Sequence, residues 1–401
     1  MRRSRPLRWT GPLHLLTGVL ALTALHGCEP APPPDTTAGG APGAPDHPAL
    51  AHHVLERLAL QPDERVLLVA APGDFDAMVA PFREGVRAAG AEDLGAWAVE
   101  GPQPEAWATD FTARLAAARD EDLVDILGEV DAAVMMPGAQ PVHPVYASLQ
   151  EVLRRGHGRT VHFHWAGAYA PDGTLMDRSP AVDALYQDVL ARTDYAALAA
   201  SQRAFEEAMR AAEVRVTTPA GTDLTFRIGD RPVTRQDGDA SAARAARARN
   251  LIDREVELPA GAIRVAPIEE SVNGAIAFPP STWSGAPVRG LVLTIASGRV
   301  VDATAEEGLE AAAAEMDAAG PAGRAFRELA LGFNPLLAVP DRGERWIPYY
   351  GYGAGVVRLS LGDNTELGGA VGGGYVRWNF FTDATVSVGG ETWVEGGRLV
   401  R

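Results

Sequence analysis

The chain has 401 residues, 46% of them hydrophobic and 22% charged, the composition of a folded protein large enough for two domains of ordinary size. All 36 basic residues are arginine, the formal net charge is −16, and a body this acidic is repelled by phosphate backbones, which argues against nucleic acid as a partner. A single cysteine, Cys28, excludes an intrachain disulfide and any cysteine-based zinc site.

Residues 1–28 read as a lipoprotein signal peptide. Arg2, Arg3, Arg5 and Arg8 form a basic start, and Leu13 to Leu25 supply an apolar stretch too short for a permanent membrane span. It ends in Leu25-His26-Gly27-Cys28, which resembles a lipobox, the site where the cysteine receives lipid; His26 departs from the usual small residue. The alternative is an ordinary secreted protein whose cysteine happens to follow the apolar stretch. Removing the leader's four arginines takes the net charge from −16 to −20. Residues 29–48, rich in Pro, Gly, Ala and Thr, bury too little apolar surface to fold and read as an extended linker. Glu29, where an aspartate would act as an inner-membrane retention signal, points to a lipid-anchored body at the outer membrane of a cell envelope.

From residue 49 the pattern alternates between helix and strand. Ala51, Val54, Leu55 and Leu58 recur at helical spacing. Arg65–Ala71, Ala132–Met136 and Thr160–Trp165 read as buried strands, with a helix over Ala77–Ala89 closed by Gly90. The region 49–212 is therefore an α/β domain with a mostly parallel sheet. The segment AAPGDFDA after the first strand lacks a phosphate-binding glycine pattern, so nucleotide binding has no support. His162 and His164, two apart on a strand, face the same way, but without a third ligand they favour a structural role over metal binding. His52 and His53 diverge on a helix and read as surface residues.

After a helix over Tyr195–Ala212, residues 213–401 read as an α+β domain with mainly antiparallel sheet. Val214–Thr218 and Leu224–Ile228 flank a Pro-Ala-Gly-Thr-Asp turn, the signature of a hairpin. Further strands fall at Ile263–Pro267, Gly274–Phe278, Val288–Ala296, Gly355–Leu361, Gly374–Phe381 and Ala384–Val388, with a helix over Glu306–Met316.

Seven segments stand in one order: TTPAGTDLTFRIGDRP, ELPAGAIRVAPIEESVNGAI, ASGRVVDATAEEG, RELALGFNP, VVRLSLGDNTELGG, YVRWNF and VGGETWVEGG. With LALQPDERVLLVA and RAAGAE upstream, they make the chain resemble the thermophilic metalloaminopeptidases of the aminopeptidase T type over about residues 50–401. The resemblance implies an α/β domain followed by an α+β catalytic domain, dimerisation, and removal of N-terminal amino acids by two divalent ions such as zinc or cobalt. Such a site holds its ions about 3.5–4 Å apart and needs converging anionic oxygens and imidazoles.

Placed on this sequence, the family's five ligand positions fall on Ala262, Glu328, Arg358, Arg377 and Asn379, and only Glu328 keeps the family's residue type. All nine histidines lie at or before His164, so no imidazole of residues 213–401 is available in any register, and arginine cannot be deprotonated to coordinate. The reading is a non-catalytic relative with no bound metal, holding a peptide or an envelope protein partner and anchored through lipid on Cys28. One competing reading is a metal-dependent aminopeptidase with relocated ligands, for which Glu269, Glu270, Glu328 and Asp363 would suit Mg, Mn or Ca; Glu269 and Glu270 otherwise read as a solvated turn. Another is a purely structural envelope protein. Loss of metal from clustered acids requires a drop in negative charge, which predicts an ion pair from Glu328 to Arg358 or Arg377.

Overall fold

The computed structural model describes residues 45–165, 167–340 and 345–401. The signal peptide, Cys28 and residues 29–44 of the linker lie outside the described residues. Asp46 caps the first helix by accepting from the Ala49 amide at 3.1 Å, so helical structure begins at His47, two residues inside the expected linker.

Among the described residues of the first half, seven helices and four strands follow in chain order. They are α1 (His47–Leu58), β1 (Arg65–Ala70), α2 (Val79–Ala88), β2 (Glu92–Ala98), α3 (Asp110–Ala117), α4 (Leu123–Leu127), β3 (Ala132–Met135), α5 (Pro144–Arg154), β4 (Arg159–Phe163), α6 (Pro180–Arg192) and α7 (Tyr195–Ala211). Leu50, Ala51, Val54 and Leu58 are the buried face of α1; Leu55, expected with them, is only partly buried. Strand β3 is apolar and buried throughout, β1 is so after its half-buried Arg65, and β4 is fully buried although it carries Arg159, Thr160 and His162, because helices cover both faces of the sheet. Strand β2 escapes a pattern reading. Its Gly95 adopts φ +88° where a Cβ would stand 2.7 Å from the Trp107 carbonyl, and the register slips at that point, so polarity does not alternate cleanly.

The second half supplies β5 (Val214–Thr217), β6 (Asp223–Phe226), β7 (Val233–Arg235), α8 (Ala242–Ala245), β8 (Glu255–Leu258), β9 (Ala262–Val265), β10 (Asn273–Ala277), β11 (Ser281–Trp283), β12 (Ala286–Val288), β13 (Val292–Ala296) and β14 (Arg299–Thr304). Helix α9 (Leu309–Ala318) leads to β15 (Phe326–Gly332), β16 (Val357–Gly362), β17 (Val376–Arg377), β18 (Phe380–Phe381), β19 (Thr385–Val388), β20 (Glu391–Glu395) and β21 (Arg398–Leu399). The predicted hairpin forms between β5 and β6, with Val214 opposite Phe226 and Thr217 opposite Asp223.

The fold class is the one read from the sequence: an α/β part with a parallel sheet, then antiparallel sheets. The parallel sheet has the order β2-β1-β3-β4-β8. Its last strand comes from beyond residue 213, so the chain crosses the expected boundary to complete the first sheet. Eight antiparallel strands run β14-β13-β10-β6-β5-β19-β20-β21, and a third sheet runs β17-β16-β15-β9-β7 with β18 beside β16. One buried apolar cluster extends from Leu50 in α1 to Val394 in β20, so the two halves share a core. The strand expected over Gly374–Phe381 is broken into β17 and β18 at Trp378–Asn379. Among the described residues no helix is long and apolar enough to cross a membrane.

Candidate functional site

Strands β9, β15 and β16 place three of the five expected positions, Ala262, Glu328 and Arg358, on one buried sheet face. Ala262 lies opposite Gly332, Arg264 and Arg358 both lie opposite Ala330, and Glu328 lies opposite Ser360. Because side chains alternate along a strand, Ala262 and Arg264, Glu328 and Ala330, and Arg358 and Ser360 share that face.

Glu328 sits at its centre and is 0% exposed. Its Oε2 accepts from Arg264 Nε at 3.0 Å; its Oε1 accepts from Arg358 Nη2 at 3.0 Å and from Ser360 Oγ at 3.3 Å. Arg327 Nε stands 3.7 Å away. Burial alone would raise the Glu328 carboxyl, but Arg264, Arg358 and Arg327 outweigh it and hold the group well below the usual carboxylate range. Arg264 also donates to Glu366 Oε1 at 3.0 Å, an oxygen shared with Arg327, and lies 3.8 Å from Glu257. Burial would lower the Arg264 guanidinium, and Glu328, Glu366, Tyr352 and Glu257 together raise it well above its ordinary value. Arg358 is 1% exposed, donates to the Tyr350 carbonyl at 3.2 Å and packs 4.9 Å from the Trp378 ring centre.

The expected pair with Arg358 therefore forms, and the one with Arg377 does not. Arg377 turns instead to Glu315 of α9 at 2.8 Å, to the Thr282 carbonyl at 3.0 Å, and onto the face of Trp283 at 3.5 Å. The break between β17 and β18 frees it to do so. Asn379 is buried and donates to the Leu359 carbonyl at 3.2 Å, a structural role. Arg264, the closest partner of Glu328 alongside Arg358, is the residue that the sequence reading missed. Its signal was present: it stands two positions from Ala262 on an all-buried strand, where an unpaired arginine is not tolerated.

The alternative cation set does not converge. Glu269 accepts from the Ala370 amide at 2.8 Å and from Asn364 at 3.1 Å, and pairs with Arg231, so it is a loop clamp rather than a solvated turn. Glu270 is exposed, as that reading had it. Asp363 is saturated by the Thr365 amide and hydroxyl and by the Gly373 and Gly374 amides, at 2.6 to 2.9 Å. The metal pair implied by the family does not fit this donor set: an alanine, two arginines and an asparagine amide stand where anionic oxygens and imidazoles are needed, and two guanidinium groups already occupy the surviving carboxylate. Among the described residues, no group of three or more His, Cys, Asp or Glu is arranged to hold a metal ion.

Above this face lies a cavity of about 600 Å³, bounded by the carboxyl ends of β3 and β4 and by Tyr350, Tyr352 and Trp378. Ligands of open α/β sheets bind at such strand ends. His162 and His164 both reach it, with ring centres 3.3 Å apart. Tyr146 donates to Glu255 at 2.8 Å, which leaves its oxygen to accept from His162 Nδ1 at 2.8 Å. Burial and the neighbouring His162 push the His164 imidazole well below its usual value, so it is neutral. Burial raises the Tyr350 hydroxyl to about 12. Tyr349 and Tyr350 both carry positive φ, 37° and 51°, an unusual pair of non-glycine residues, of which Tyr350 lines the cavity.

This fold, with Ala262, Glu328 and Arg358 gathered on one sheet face beside the parallel strand ends, is similar to that of the aminopeptidase T type. Residues 192–335 match the family model described as thermophilic metalloprotease (M29). The solved structure of wild-type AmpT from Thermus thermophilus aligns with TM-score 0.56 and 17% identity, covering 88% of this chain and 99% of that one. A 2,5-dihydroxypyridine dioxygenase from Pseudomonas putida KT2440 aligns with TM-score 0.58 and 18% identity, covering 88% and 96%. No curated protein matches the chain. The resemblance to the aminopeptidase T type thus holds, in sequence over residues 192–335 and in fold over most of the chain.

Proposed function

We propose that the protein is a lipid-anchored member of the cell envelope that keeps the aminopeptidase T-type fold without its hydrolysis and uses the cleft to bind a peptide or a protein partner. One observation carries this reading: Glu328, the surviving family acid, is neutralised by Arg264 and Arg358 at 3.0 Å each, where catalysis would need metal. A cavity with aromatic walls and a few fixed polar groups suits a bound ligand. The fold alone does not choose the chemistry, since structures described as a peptidase-type AmpT and as a dioxygenase both align with it. The anchor on Cys28 and an outer-membrane address rest on the leader alone, and a homodimer on the family resemblance.

Metal analysis of the purified protein, paired with a chromogenic aminoacyl-amide assay, tests the reading against the competing one of a metal-dependent aminopeptidase. The expected result is no stoichiometric zinc or cobalt and no turnover above a Glu328→Gln control. Metal-dependent turnover that vanishes in that control would overturn it.

A further inference from the structure

A second cavity, of about 520 Å³, adjoins the one just described and shares Glu366 with it. It opens between the end of α5 and the segment leading into β8, and Arg154, Arg249, Asn250, Arg254, Thr365 and Glu366 line it. Three cations around one carboxylate is an unusual wall for a chain with 52 acidic and 36 basic residues. The carboxylate is moreover committed elsewhere: Glu366 pairs with Arg264 and Arg327. Asp253, beside Arg254 in sequence, accepts from the Arg249 amide at 3.0 Å and from Thr234 at 3.3 Å.

The arginines, by contrast, are under-used. Among the described residues Arg254 forms no ion pair. Only its Nη1 donates, to the Gly158 carbonyl at 2.9 Å. Burial lowers its guanidinium below the ordinary value, and Asp253 only partly opposes this, as for a cation whose counter-charge is missing. Arg154 has a single long contact, 3.4 Å to Glu151, and Arg249 donates to the Asp230 carbonyl at 2.8 Å and meets its carboxylate at 3.4 Å in the open, so Arg254 is the cation left without a counter-charge. Asn250 Nδ2 is buried and has no acceptor. Donors outnumber acceptors, and the deficit is of anionic oxygen.

We propose that this cavity binds a phosphate group, as a free phosphate ester or as the headgroup of an anionic phospholipid. Guanidinium forks match phosphate oxygens in pairs, and a phosphate, as a monoester dianion or a phosphodiester monoanion, offers the oxygens that the one committed carboxylate does not. The volume exceeds that of bare phosphate, leaving room for the group that carries it. The site is independent of the catalytic question, since an active peptidase would possess it equally.

The test uses the full-length chain in detergent, with phosphorus NMR line broadening of inorganic phosphate and of short-chain, water-soluble phosphatidylglycerol as readouts, and short-chain phosphatidylcholine as control. Arg249→Glu and Arg154→Glu are the test variants, both exposed and safe for folding; Arg119→Glu, also exposed and remote, is the reference. Binding should fall at least about tenfold in each test variant and stay unchanged in the reference. Broadening of inorganic phosphate alone identifies a soluble phosphate ester as the source, and preference for phosphatidylglycerol over phosphatidylcholine identifies a headgroup; both support the site. No binding of either probe, equal loss in Arg119→Glu, or binding of an acidic peptide in preference to phosphate would each overturn it.

Discussion

Replacing Arg358 by alanine is the sharpest probe of the ion pair. Glu328 is 0% and Arg358 1% exposed, so neither charge regains water when the other is removed. Arg264 would remain on one oxygen at 3.0 Å, while the other would keep the Ser360 hydroxyl at 3.3 Å and the Arg327 guanidinium at 3.7 Å. Breaking one partner of a buried pair costs about 3–5 kcal/mol where the surviving charge is left uncompensated; with Arg264 and Arg327 still beside Glu328 the loss should lie at the lower end, about 3 kcal/mol. An exposed pair such as Arg119 with Glu121, at 72% and 67% side-chain exposure, is worth about 0–1 kcal/mol. Urea unfolding followed by tryptophan fluorescence separates the two ranges, with Arg119→Ala as the surface reference. The apolar replacement Glu328→Leu, Arg264→Met and Arg358→Met, which removes the charges together, should lie close to the wild type or above it. A loss below about 1 kcal/mol in Arg358→Ala would refute the argument.

Acid should act on the same group. The folded-state Glu328 carboxyl lies below its unfolded value, so its contribution is complete above the unfolded value of about 4.3 and is lost as pH falls through the acid range toward the folded value. Unfolding free energy measured between about pH 5 and pH 2 should therefore fall less steeply in Glu328→Gln than in the wild type; equal slopes would contradict this. The anchor is tested by fractionation: the wild type should follow the membranes, because acyl chains contribute about 0.8 kcal/mol per buried CH₂, while Cys28→Ala stays unprocessed or is released. Equal solubility of the wild type and a leaderless form would exclude lipidation.

Strands buried on both faces, such as β1 and β3, were legible because continuous apolar runs leave little else to infer. Strand β15 was not, since Arg327 and Glu328 interrupt its apolar pattern and only the pairing of charges across neighbouring strands makes their burial tolerable. Strand β8 was invisible for a different reason: its EVEL sequence is short, and its place beside β4 depends on a chain reversal that no local pattern encodes. The site positions Ala262, Glu328 and Arg358 could be placed in one cluster from motif order, because the strands that carry them keep a fixed register. Where Arg377 points could not, since Glu315 and Trp283 compete for it from elements distant in sequence.

The part played by Arg264 leads to the last prediction. If the losses at Ala262, Arg358, Arg377 and Asn379 were the whole obstacle to metal, restoring Glu, His, His and Asp at those positions would rebuild a site. The geometry says otherwise. Arg264 would still hold Glu328 Oε2 at 3.0 Å, and a dication would have to displace a buried guanidinium that Glu366 also pairs with. A histidine at 377 would also follow a backbone that now directs its side chain toward α9. The fourfold variant Ala262→Glu, Arg358→His, Arg377→His, Asn379→Asp should accordingly take up no stoichiometric zinc in metal analysis. Adding Arg264→Leu removes the competing cation and leaves the acids mutually repelling, a state that a dication relieves. Zinc uptake should then appear in the fivefold variant. Stoichiometric zinc in the fourfold variant would show that Arg264 is not what closes the site.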